Sequence, residues 1–155
     1  TMITDLVPPS LGIVRTSGSG AGIDPLPGRD AALAARLLKP HPHFRCWRKS
    51  ALPARWHYGG NRRVPQFYCL NQPGWRFRTA QDVAKKAPEM PGNHGFDPAL
   101  PDMRAIFVAH GPAFRTGVAL RAFPNVDVYP LLARLAGLPP QAGDGDIAPL
   151  RLGLK

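Results

Sequence analysis

Five histidines and two cysteines are the strongest candidates here for holding a metal ion or moving a proton. The stretch Gly92-Asn93-His94-Gly95-Phe96-Asp97-Pro98 sets an imidazole beside a glycine and close to another, which lets ring and backbone approach a metal or an anion closely. His94 is therefore the first candidate ligand. Asp97 either adds a carboxylate donor or accepts backbone hydrogen bonds within its own turn. His57, between Trp56 and Tyr58, and His110, ending an apolar run, are weaker metal candidates with a simpler reading as packed or strand-end histidines. His41-x-His43-x-x-Cys46, with Cys69 further on, has the letters of a zinc half-site but no second paired motif. The simpler reading places both cysteines on two neighbouring strands, as small buried residues or as a disulfide. No Gly-x-Ser-x-Gly is present, neither cysteine has a recognisable base beside it, and no Walker loop occurs. Gly18, Gly20 and Gly22 alternate without a following Lys-Ser or Lys-Thr, so phosphate cradling is not expected there.

Charge points to anionic partners. The formal net charge is +10, and residues 31 to 81 hold ten Lys or Arg with no Asp or Glu. Such a surface attracts phosphate at long range, and less so at high salt. Arg62, Arg63 and Arg76 are the candidate substrate-binding cations. Arg45, Trp47, Arg48, Trp56, Arg62, Arg63, Trp75, Arg76, Phe77 and Arg78 also interleave cations with rings, a combination that binds single-stranded nucleic acid. A basic solvated face above core aromatics explains the same residues more simply, so nucleic acid is not the expected partner. No apolar run reaches the ~20 residues of a membrane span and no signal peptide is present. A soluble chain, cytoplasmic as expressed, is expected.

At 155 residues the chain has room for one domain with a modest core. Gly and Pro make up 35 residues, while 44% of the chain is hydrophobic, so many loops but a real core are expected. Residues 11–16 read as a strand, 17–20 as a turn, and 31–38 as an Ala/Leu-rich helix stopped by Pro40 and capped by Asp30. Residues 43–49 and 64–70 read as strands, with a short helix over 52–58 between them. Residues 72–74 form a turn, and 75–78 fit an edge strand or hairpin. A short charged segment follows over 79–91, ending at Pro88 and Pro91. The apolar run 105–110 reads as the most central strand. Residues 125–138 read as a helix from the spacing of Val128, Leu131, Leu132 and Leu135, with Pro130 in its first turn and Gly137 as its stop. Residues 139–155 are expected to wrap the surface. The fold class is α+β, with short strands and two main helices.

The His94 loop followed by Met103-Arg104-Ala105-Ile106-Phe107 resembles the bacterial nucleotide pyrophosphatase/phosphodiesterase family of the alkaline-phosphatase superfamily. So do His41 to Lys49, Leu52 to Gly59, Arg63-Val64-Pro65, Cys69 with Gly74-Trp75, Phe123 to Tyr129, and Asp144-Gly145-Asp146. The resemblance covers roughly residues 11–150 and implies the C-terminal part of an alkaline-phosphatase-like α/β domain, truncated, from a periplasmic or secreted parent. It makes His94 a zinc ligand. It also implies two zinc ions and an upstream Thr or Ser nucleophile, whose motifs are absent here. Thr1-Met2-Ile3-Thr4 resembles the start of the beta-galactosidase alpha peptide of cloning vectors, so residues 1–10 are expected to be a vector-derived leader outside the fold, 11–150 a single domain and 151–155 a tail.

The expected activity is a weak, metal-dependent hydrolysis of phosphodiesters or related phosphate esters by a phosphodiesterase-type hydrolase, with zinc or manganese as the ion. The alternative is a catalytically inactive structural remnant. Exposed apolar surface on strand 105–110, or on the Leu131, Leu132 and Leu135 face, predicts a homo-oligomer, most simply a two-fold dimer. Such an axis near the loop would bring two His94 side chains together, with Asp97, His57 or His110 completing the ligands of a metal-bound water.

Overall fold

The computed structural model describes residues 1–85 and 92–155 and falls into two compact units, residues 1–105 and 106–155. Pro88 and Pro91, the expected end of the charged segment, lie outside the described residues.

The first unit is built on a four-stranded antiparallel sheet in the order β1-β2-β4-β3: β1 is Gly12–Thr16, β2 Gly20–Pro25, β3 Phe44–Arg48 and β4 Phe67–Asn71. Three strands fall where the sequence predicts them, β1 from a short apolar segment and β3 and β4 from alternation. β2 does not: no strand is expected there, and its first residue, Gly20, falls in the turn read over 17–20. Its register explains its glycines. A Cβ on Gly20 would lie 2.2 Å from the Tyr68 hydroxyl, and one on Gly22 would lie 2.8 Å from Pro65. This strand runs beneath larger side chains, and only glycine leaves them room.

Because side chains alternate along a strand, the sheet has two different faces. One carries Ala21, Ile23, Phe44, Cys46, Phe67 and Cys69, all buried. Against it pack Leu33 and Leu37 of helix α2 (Asp30–Leu37), together with Phe77. Ile3 and Val7 join the same cluster, and Ile3 lies in helix α1 (Ile3–Leu6). The expectation that residues 1–10 stand outside the fold is therefore corrected: Ile3 is fully buried and its N–H donates to the Arg78 carbonyl at 2.9 Å. Asp30 does not cap α2 either. Arg29 holds the cap position without a side-chain bond, and Asp30 instead accepts two hydrogen bonds from Arg48, at 2.9 and 2.7 Å. That pairing holds the Asp30 carboxyl below its usual range.

Cys46 and Cys69 face each other across β3 and β4 and form a disulfide. Residues 52–58 make no continuous helix, only a 3₁₀ turn over Ala54–Trp56 after another over Lys49–Ala51. Pro53 begins the second turn, and His57 ends it in the left-handed region at φ 48°. Residues 75–78 do not form a regular strand: Phe77 N–H donates to the Gly18 carbonyl and Arg78 makes a single parallel bridge with Met2. After them Thr79 opens helix α3 (Ala80–Ala84) with a reciprocal capping box to Asp82.

In the second unit helix α4 (Val128–Leu135) matches the predicted amphipathic segment, preceded by a 3₁₀ turn over Asn125–Asp127 and followed by Gly137 at φ 67°. Leu131 packs with Leu150 and Leu154. The expected central strand over 105–110 is absent: Ile106 is 92% and Val108 84% exposed. An apolar run becomes a buried strand only when neighbouring strands pair with it and helices cover it, and no described strand pairs here.

Candidate functional site

The face of the sheet opposite α2 carries Trp47 and Tyr68, and over them lie Trp56 and Tyr58 from the turn that follows β3. Trp47 and Trp56 meet edge to face at 5.2 Å between ring centroids, Trp56 and Tyr68 at 6.4 Å, and Tyr58 and Tyr68 at 5.5 Å. Such contacts place the positive ring edge against a negative face. Burial, with the neighbouring Tyr58 adding to it, raises the Tyr68 hydroxyl above its usual range.

The His94 loop is fastened beside this aromatic layer through Asp97. Both Asp97 carboxylate oxygens accept from the Arg55 guanidinium, one of them at 2.6 Å, and Oδ1 also accepts the Ala99 N–H at 2.9 Å. The Arg55 bonds are the main reason the Asp97 carboxyl is held down at about 2. The buried Trp56 indole N–H, which makes no regular hydrogen bond, adds a small pull in the same direction. Gly95 takes φ 85°, and a Cβ there would lie 2.6 Å from the Ser19 hydroxyl, so the loop passes close to the start of β2. His94 itself is exposed, and its N–H donates to Asn93 Oδ1.

The other expected site residues are placed as follows. His57 is exposed at the end of its 3₁₀ turn, and His110 is exposed in the second unit. Arg62, Arg63 and Arg76 are all exposed. His41 stacks on Phe44 with Nε2 3.2 Å from the Leu37 carbonyl, while His43 lies flat on Trp75 at 3.5 Å. The disulfide leaves neither cysteine a thiolate to offer a metal. Phe77 is fully buried and so unavailable to stack on a base.

A catalytic zinc normally takes three protein ligands. Among the described residues no three His, Cys, Asp or Glu side chains come together, and Asp97 is occupied by Arg55. Among the described residues His94 belongs to no such group. Two participants escaped the sequence reading: Arg55 as the partner of Asp97, and Tyr68 as the floor of the aromatic layer. The Arg55-Trp56-His57-Tyr58 run was the available signal, but nothing in its spacing says which carboxylate it meets.

Residues 1–97 match the family model described as type I phosphodiesterase / nucleotide pyrophosphatase. The chain is 34% identical over 124 residues to the bis(5'-adenosyl)-triphosphatase enpp4 of Xenopus laevis, covering 79% of this chain and 26% of that protein. It is 36% identical over 126 residues to human ectonucleotide pyrophosphatase/phosphodiesterase family member 7, covering 81% of this chain and 27% of the relative. The solved structure of human ectonucleotide pyrophosphatase/phosphodiesterase 5 superposes with a TM-score of 0.86 at 29% identity, over 99% of this chain and 40% of that one. The fold is thus the alkaline-phosphatase-like α/β fold of that protein, in part. The chain spans about a quarter of the length of the curated relatives it matches. Among the described residues no helix is long and apolar enough to cross a membrane.

Proposed function

We propose, since this chain belongs to the type I phosphodiesterase / nucleotide pyrophosphatase family, that it takes part in metal-dependent hydrolysis of phosphodiesters or related phosphate esters, more weakly than its full-length relatives. The observation that carries this reading is that the matched segment, residues 1–97, includes the His94 loop, held in place by Arg55 and Asp97. The basic region from Arg36 to Arg78 would draw in an anionic ester and stabilise charge developing on the phosphoryl oxygens.

A bound zinc or manganese ion would supply Lewis acidity and a more acidic water. His94 suits such an ion as one imidazole donor, exposed at the tip of its loop. It would need companions from a second copy of the chain or from further polypeptide. A bacterial source is part of this proposal; it rests on the wording of the sequence, whereas the relatives above come from frog and human. Whatever its origin, the segment holding Ile3 and Val7 serves the core.

The test is turnover of bis(4-nitrophenyl) phosphate by protein freed of host phosphatases, with bound metal measured alongside. Chelator should abolish the rate, zinc or manganese restore it, and folded His94→Ala lower it about ten-fold or more. An undiminished rate in His94→Ala overturns the inherited-ligand reading. The second reading, a stable fold without turnover of its own, is favoured by the isolation of His94 among the described residues, and an absent rate at every metal tested would select it.

A further inference from the structure

Adjacent basic residues occur three times in the chain, as Arg48-Lys49, Arg62-Arg63 and Lys85-Lys86, and the fold separates the first two. Arg48 is held by Asp30 at 2.9 and 2.7 Å and lies over the Phe67 ring, while the Lys49 N–H donates to the Gln66 carbonyl at 2.8 Å, so this pair is tied to its neighbours at the end of β3. Arg62 and Arg63 instead stand exposed within residues 57–66, the stretch between the Ala54–Trp56 turn and β4, which carries no helix or strand. Lys85 follows α3, with its N–H donating to the Gln81 carbonyl, and Lys86 lies outside the described residues. We propose that Arg62-Arg63 is a processing site for a serine endoprotease that reads paired basic residues and cuts the Arg63–Val64 bond, and that the Cys46–Cys69 disulfide keeps the two resulting polypeptides together as one molecule. Such a cut is independent of any phosphodiester hydrolysis by the chain.

Exposure comes first. Gly60, Asn61, Arg62 and Arg63 are all exposed, and nicking concentrates at exposed loop tips. The bonds at this tip are local or long: the Arg63 N–H donates to Asn61 Oδ1 at 2.9 Å, the Val64 N–H donates to the Asn61 carbonyl at 3.1 Å, and Lys49 Nζ reaches the Asn61 and Val64 carbonyls at 3.4 and 3.3 Å. Opening such a turn costs far less than opening the sheet, so a protease can draw it into the extended form that it cleaves. A Cβ built on Gly60 would meet nothing within 4 Å, which leaves the chain room to swing upstream of the pair, and Val64, 9% exposed, is the side chain that must leave its place. The position of the cut relative to the bridge decides the outcome. Residue 63 lies between Cys46 and Cys69, whose strands pair from Phe44 with Asn71 to Arg48 with Phe67. Hydrolysis adds the hydroxyl of a water to the Arg63 carbonyl carbon and its proton to the Val64 nitrogen as the C–N bond breaks, and neither the ladder nor the bridge is touched.

The test is brief digestion of the folded, oxidised protein with a subtilisin-type endoprotease specific for paired basic residues, read by mass spectrometry and by electrophoresis in detergent with and without reductant. The expected first products are residues 1–63 and 64–155, running as one species before reduction and as two after it. Arg62→Gln/Arg63→Gln should abolish that cut, and Arg63→Gln alone serves if the double variant fails to fold. Folded protein left intact under conditions that cleave the reduced, unfolded chain overturns the proposal. So does a first cut at Arg48-Lys49 or Lys85-Lys86, cleavage unchanged in the Arg62 and Arg63 variants, or two separate species before any reductant is added.

Discussion

Arg55 and Asp97, 42 residues apart in the chain, meet through two parallel hydrogen bonds, and this pair fixes the end of the His94 loop to the turn after β3. The Asp97 carboxyl is held at about 2, below its ordinary 3.8. A carboxyl depressed in the folded state contributes stability that is full above the unfolded value and lost as pH falls through the folded one. The contribution should thus be constant from neutrality to about pH 5 and disappear between about pH 4 and 2. Solvent reaches both side chains, which are 51% and 26% exposed, so Asp97→Asn should cost only about 1 kcal/mol in urea unfolding, and Arg55→Ala should lower the midpoint in the same direction. The double variant should cost little more than either single one. Additive losses would show that the two residues act apart.

The Cys46–Cys69 disulfide closes a loop with a sequence separation of 23 between adjacent strands. Constraint of the unfolded chain predicts that Cys46→Ala/Cys69→Ala lowers stability by about 3 kcal/mol. Equilibrium unfolding of the variant beside the oxidised protein checks this. Equal midpoints would mean that the bridge adds nothing beyond its packing.

In the second unit, a Cβ on Gly145 would lie 2.3 Å from the Val126 carbonyl oxygen. Backbone cannot swing aside as a side chain can, so Gly145→Ala should cost about 2 kcal/mol. Gly143→Ala, with nothing within 4 Å of its Cβ, should stay within about 0.5 kcal/mol of the parent. Thermal melts of the two variants make the comparison, and similar losses would refute it.

Assembly follows from exposed apolar surface. Leu131 is buried within its own unit, but Leu132 is 58% and Leu135 40% exposed, alongside Ile106 and Val108. A two-fold dimer covering one of these faces is our expectation, and Leu132→Glu/Leu135→Glu should weaken it if α4 lies at the contact. Light scattering that finds only monomer at tens of micromolar would count decisively against it.

How far the sequence disclosed this structure depended on whether the cause was local. Helix α4 was legible because Val128, Leu131, Leu132 and Leu135 repeat at helical spacing, and Gly137 can take the positive φ that stops the helix. β3 and β4 were legible from alternation. β2 was not, since the reason for Gly20 and Gly22 lies in Tyr68 and Pro65, more than 40 residues away. The strand expected at 105–110 failed for the opposite reason: Ile106 and Val108 have a strand's residues but no described strand beside them. At the site, His94 stood out by residue type, whereas Arg55 did not, because its role exists only once the fold brings it to Asp97.

The strand order β1-β2-β4-β3 leaves β1 and β3 as the outer members of the sheet. β3 bears Arg45 together with Arg48, which pairs with Asp30, and β1 bears Arg15, half of whose side chain is exposed even though it pairs with Asp24. Two copies approaching border to border would bring guanidinium groups of the same sign together before any main-chain pairing formed. Charged borders of this kind are a common safeguard against runaway sheet extension and fibre growth. Concentrated solutions should therefore resist ordered aggregation through this sheet most strongly at low ionic strength, where the repulsion reaches farthest.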